Sequence, residues 1–143
     1  MKTPTVTAIV ASVNRGDAGG ARAVTGRFLA AISALNPGLN AIVQHDPADC
    51  LAQADAVDRR IAAGERLALA GVPVAVKDNI WVADREVTQG SLLFAGFRPP
   101  ADAIAVERLR AAGAVILGMA NTSEFACKGV TTNKAFGATR HPM

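Results

Sequence analysis

Four side chains in this sequence carry a primary amine, Lys2, Lys77, Lys128 and Lys134, against eleven arginines. The difference matters because arginine stays charged at any working pH, whereas lysine gives up its proton when it is desolvated. Lys77 is the one to weigh. It closes the run Val72-Pro73-Val74-Ala75-Val76, and the alternation and apolar context place its stem inside the protein rather than in water. Burial disfavours an ammonium, and a fully desolvated lysine falls several units below its reference of about 10.4. A neutral amine at the end of a strand, where ligands gather in α/β proteins, suits general-base chemistry. The same residues also fit a lysine paired with Asp78, or one that snorkels to the surface past the strand end.

The other reactive side chains form no comparable pattern. His45 and His141 have no histidine or carboxylate partner at metal-ligand spacing, so no metal or cofactor is expected. Cys50 and Cys127 lie 77 positions apart without a CxxC, which reads as two reduced core thiols. The four serines, Ser12, Ser33, Ser91 and Ser123, lie outside any GxSxG turn that would present a nucleophile beside oxyanion donors. Gly16-x-x-Gly19-Gly20 does not follow a strand, so it is no phosphate cradle. Arg15-Gly16-Asp17 and Asn121-Thr122-Ser123 match adhesion and glycosylation patterns that need an extracellular setting.

The elements that must position Lys77 follow from periodicity. Thr5 or Thr7 caps a short helix through Val13, closed by Gly16. Asp17 opens a longer helix with Val24, Phe28, Ile32 and Leu35 at helical spacing, ending at Asn36-Pro37-Gly38. Leu39–Gln44 is a short strand, and Asp46 starts a third helix to Gly64 with Leu51, Ala54, Val57 and Ile61 on one face. From Leu67 the Val-rich run to Val76 suits a strand buried on both faces. An irregular stretch, Asp78–Pro100, leads to a helix capped by Asp102 and closed by Gly113, then to a second buried strand at 114–118. Strand, helix, strand is the βαβ unit of a parallel sheet. Asn121 with Glu124 resembles a capping box opening a helix over Thr122–Lys128, and Val130–Met143 reads as a loop. The fold class is α/β, with a helical lead-in over 1–65 and a βαβ-bearing part over 66–143.

Composition bounds the function. With 143 residues, half of them hydrophobic and 19% charged, the chain is globular in character and can bury about 68–70% of its unfolded surface. The longest apolar run, Leu67–Val76, stops at ten residues, which excludes a membrane-spanning helix. Met1-Lys2-Thr3-Pro4 has no apolar stretch of the secretory type, so the expected location is the cytoplasm. The net charge of +3 comes from scattered residues, with one Trp and no Tyr, so nucleic-acid binding is not expected.

Three blocks carry a resemblance. "GVPVAVKDNI" (71–80), "ADAIAVERLRAAGAVILGMANTSEFA" (101–126) and "NKAFGATRHP" (133–142) are similar, in order, to consecutive blocks of the amidase signature family. That family includes bacterial amidases, fatty acid amide hydrolase, allophanate hydrolase and the A subunit of the glutamyl-tRNA amidotransferase. The resemblance is strong over 64–142 and weak over 1–63. It implies the first βαβ part of a large mixed-sheet fold, incomplete here, and a small-molecule amide as the substrate of the full-length form. It further implies a Ser–cis-Ser–Lys mechanism, with Lys77 matching the family lysine. A neutral lysine takes a proton through the bridging serine, the second serine attacks the amide carbonyl, and an acyl-enzyme is hydrolysed.

The resemblance also implies two serines beyond an "FGATRNP"-like block. None of the four serines here occupies either position, and the sequence given ends at His141-Pro142-Met143. Met119-Ala120 stands where "GKTN"-type residues are common. The expectation is therefore an N-terminal piece of an amidase that is inactive alone. The alternatives are a non-catalytic α/β module that binds a separately made remainder or another partner, and the A subunit of a glutamyl-tRNA amidotransferase. Unpaired sheet edges would favour self-association.

Overall fold

The computed structural model describes residues 4–17 and 19–142. Met1–Thr3, which bear on the expected absence of a secretory signal, lie outside the described residues, as do Ala18 and Met143. Helix α1 (Val6–Asn14) is capped by Thr5, whose hydroxyl accepts the Ala8 N–H at 3.2 Å. Helix α2 (Gly20–Leu39) starts at Gly20 rather than Asp17 and runs through Pro37 instead of stopping before it. Pro37 lies in the last turn, where its missing N–H removes one intrahelical hydrogen bond. Asn36 then satisfies the exit: its Oδ1 accepts the Ala41 and Ile42 N–H groups and its Nδ2 donates to the Ile42 carbonyl. Asn40, at φ 52, is the left-handed residue that ends the helix. Only Ala21, Val24 and Thr25 of α2 are buried, and Leu35, expected on the packed face, is 61% exposed.

Helix α3 (Pro47–Ala62) has Asp46 as its cap, accepting the Ala48 and Asp49 N–H groups, with Pro47 at the first helical position. It buries Cys50, Ala54 and Val57. Strands β1 (Ile42–Gln44), β2 (Pro73–Lys77) and β3 (Val115–Ala120) form a sheet in the order β1-β3-β2. β1 runs antiparallel to β3, with Ile42 opposite Ala120 and Gln44 opposite Met119 across a bulge. β2 runs parallel to β3: the Val115 N–H donates to the Val72 carbonyl at one end, and the Asp78 N–H to the Ala120 carbonyl at the other. The crossover passes through helix α4 (Ile104–Ala111) and turns at Gly113, φ 91, so the expected βαβ unit is present.

β3 is buried along nearly all its length. β2 is shorter and barer than the sequence suggests. Ala68–Gly71 is a turn with Gly71 at φ 66, and the strand begins at Pro73. Its two faces differ: Ala75 and Lys77 on one are exposed, while Val76 on the other is buried. The C-terminal stretch is not an open loop: β4 (Thr132–Asn133) and β5 (Gly137–Ala138) pair as an antiparallel hairpin.

The chain forms two compact units. One gathers the residues up to Ala30, Asp46–Val74 and Arg108–Leu117, with a core that includes Val13, Val24, Cys50, Val57 and Ile116. The other gathers Ala31–His45, Ala75–Glu107 and the residues from Gly118 onward, with Val76, Val82, Val87, Val106 and Met119 inside. The units interleave along the chain. Among the described residues no helix is long and apolar enough to cross a membrane.

Candidate active site

At the end of β2 the main chain turns sharply, the Lys77 carbonyl accepting the N–H groups of Asn79 at 2.8 Å and Ile80 at 2.9 Å. The Lys77 side chain is exposed, which corrects the expectation of a buried stem. The physical reason is alternation: Val76 and Asp78 turn to the buried face of the strand, and Lys77, with Ala75, turns to the opposite face, which is exposed. The amine makes no hydrogen bond or ion pair among the described residues, so the pairing with Asp78 is absent as well.

The next residue behaves in the opposite way. Asp78 has no exposed surface, and its carboxylate is surrounded by donors from the turn at Thr88–Gly90. Oδ1 accepts the Thr88 N–H at 3.0 Å, and Oδ2 accepts the Thr88 hydroxyl and the Gly90 N–H, the latter at 3.3 Å. Burial pushes the carboxyl above its ordinary value, the bonds from Thr88 and Gly90 pull it back in part, and the nearby Glu86 charge adds to the rise. Sequence reading considers this residue only as a pairing partner for Lys77. The available signal is the period of two that puts Asp78 on the same side as Val76.

The end of β3 supplies the second wall. Asn121 and Glu124 do not form a capping box. The Asn121 Oδ1 accepts the Thr122 N–H and its Nδ2 donates to Thr139 Oγ1 at 3.0 Å, while Glu124 accepts the Ser91 hydroxyl at 2.8 Å. Residues Glu124–Ala126 make a single 3-10 turn in place of the expected helix, with Phe125 and Ala126 at φ 52 and φ 56. Cys127 follows that turn and is exposed, which corrects its reading as a core thiol; Cys50 is buried as expected. The hairpin β4–β5 is tied in by side chains: Asn133 Nδ2 donates to Asn121 Oδ1 and the Thr122 carbonyl, and Thr139 Oγ1 to the Asn40 carbonyl. The "NKAFGATR" block is thus a polar clasp.

The site therefore consists of an exposed amine on a rigidly bonded strand end, beside a buried carboxyl, two strained turns and a clasped hairpin. Trp81, Phe97, Phe94 and Phe125 form a chain of ring contacts at 5.9–6.1 Å in the same unit, with Trp81 and Phe125 part exposed. Among the described residues, no three of His, Cys, Asp or Glu stand close enough to hold a metal ion. Ser91 and Ser123 are both occupied by hydrogen bonds within the fold.

Known proteins share both the sequence blocks and the fold. A family model described as Amidase matches residues 23–143. The A subunit of the glutamyl-tRNA(Gln) amidotransferase of Acidothermus cellulolyticus is 46% identical over 123 residues, 85% of this chain and 24% of that protein. The native peptide amidase from Stenotrophomonas maltophilia superposes with a TM-score of 0.84 at 37% identity, covering 94% of this chain and 29% of its own. A chain from a vestigial complex bearing on the origins of an s-triazine catabolic enzyme gives a TM-score of 0.90 at 38% identity, covering 97% and 31%. This chain thus spans about a quarter of the length of the curated relatives it matches.

Proposed function

The chain belongs to the amidase family, and from that premise we propose that it carries the lysine of a hydrolase acting on carboxylic amides. Lys77 is the general base. It draws a proton through a bridging serine from a nucleophilic serine, which attacks the amide carbonyl; ammonia or an amine leaves, and water releases the acid. Ser12, Ser33, Ser91 and Ser123 do neither serine's work, and both serines come from the three quarters of the relatives' length outside this chain. A lysine serves as a base only when neutral, and exclusion of water favours that form. The bare side of β2 at Ala75 and Lys77 is where the rest of the fold packs and excludes water.

The observation that carries the reading is an unpartnered amine on the rigid end of a strand parallel to β3, within the motif "GVPVAVKDNI". Alone, the chain releases no ammonia from simple amides. Joined to the remainder of the Acidothermus cellulolyticus protein, it hydrolyses at least one member of a panel of aliphatic, aromatic and glutaminyl amides, and Lys77→Met abolishes the activity. Ammonia release by the chain alone, or activity that survives Lys77→Met, overturns the proposal. Failure of every joined form to turn over amide would favour a non-catalytic module.

A second reading, the A subunit of a glutamyl-tRNA amidotransferase, is favoured by the higher identity to that protein than to the peptide amidase. Preference for glutamine over other amides in the same panel distinguishes it. Either reading keeps the small-molecule amide substrate and the cytoplasmic location expected from the sequence.

A further inference from the structure

Resting on the reading of Lys77 as the base, we propose that Asp78 is its positioning residue, tying the end of β2 to the Thr88–Gly90 turn so that the lysine's main chain is held in place. Lys77 cannot position itself. It lies on an edge strand, and its amine touches no partner among the described residues. Its place is set by its neighbours, and Asp78 is the more heavily bonded of them. Both carboxylate oxygens accept from the turn, the Asp78 N–H donates to the Ala120 carbonyl at 2.9 Å, and its carbonyl accepts the Gln89 N–H at 2.9 Å.

The turn itself cannot shift. The Gln89 carbonyl accepts the Phe125 N–H at 2.8 Å, and a Cβ at Gly90 would come within 2.9 Å of the Thr122 carbonyl oxygen. The strand end, the turn and the 122–126 loop therefore form one bonded block. A neutral amide would not serve as well at 78, because three donors converge on two acceptor oxygens and an asparagine offers only one. The one charge that acts on this carboxylate among the described residues is Glu86, which repels it. With no cation bonded to it, its burial is costly, and the fold retains it for the three bonds it accepts.

The test uses the isotopically labelled chain with Asp78→Ala, Asp78→Asn and Thr88→Val. Amide exchange at Gln89 and Phe125 is expected to rise about tenfold or more in Asp78→Ala. The backbone order parameter at Lys77 is expected to fall from a rigid value of about 0.85 toward about 0.6. Asp78→Asn recovers part of the order, and Lys128 and Lys134 stay as in the parent. Thr88→Val removes one of the three bonds and gives a smaller change of the same pattern, so it carries the comparison if Asp78→Ala fails to fold. Unchanged order at Lys77, with faster exchange confined to Gln89 and Phe125, overturns the proposal, since Asp78 would then only close a turn. Survival of amidase activity in Lys77→Met would sink the reading of the lysine without touching this measurement.

Discussion

Lys77 and Asp78 are adjacent in the chain and end in opposite surroundings, one in water and one wholly out of it. That contrast has a consequence for stability. The Asp78 carboxyl is raised by burial above its ordinary 3.8, so the folded chain holds the proton more tightly than the unfolded chain does. The group's contribution is full below 3.8 and is lost as pH rises through the raised value, the reverse of a salt-bridged carboxylate. Urea midpoints measured from below 3.8 to neutrality should show the parent losing stability relative to Asp78→Asn as pH rises. Parallel curves for the two proteins would show that Asp78 does not titrate in this way.

Turns and the hairpin are the elements that give this site its walls, and each rests on a few residues. Gly90 sits at φ 68 with backbone of Thr122 and Ser123 against the place a Cβ would take. Gly90→Ala is therefore strained in conformation and in space, and should cost about 1–3 kcal/mol, read as a lower urea midpoint at unchanged slope. Gly129, with open space around it, is the control: Gly129→Ala should change stability by less than about 0.5 kcal/mol. In the clasp, Asn133 donates twice and accepts the Phe136 N–H at 2.6 Å. Asn133→Ala should raise amide exchange at Phe136 and Thr139 by about tenfold while α3 keeps its protection. Equal loss of protection in α3 would show that the hairpin and the helix unfold together.

Among the described residues the three-stranded sheet leaves β1 and β2 as open edges, and exposed apolar side chains include Leu92 at 61% and Leu93 at 81%. Such a surface favours association. Because Val72 and Asp78 bond toward β3, alternation turns the Ala75 N–H away from it. Ala75→Pro should therefore blunt the β2 edge while leaving the β2–β3 ladder intact. Sedimentation should show the parent growing in size with concentration and Ala75→Pro doing so less. Equal behaviour of the two would place the association elsewhere.

The order of the three blocks, the caps at Thr5 and Asp46, the turn at Gly113 and the buried run of β3 were all legible in the linear chain. Each depends on residues within a few positions of one another, where propensity and capping act directly. The exposure of Lys77, the burial of Asp78 and the hairpin clasp were not. Alternation says that neighbouring residues face opposite sides, but which side is covered depends on what packs against each face of the sheet. The clasp joins Asn40 to the Phe136 carbonyl across 96 positions, and contacts over such distances leave no local pattern to read.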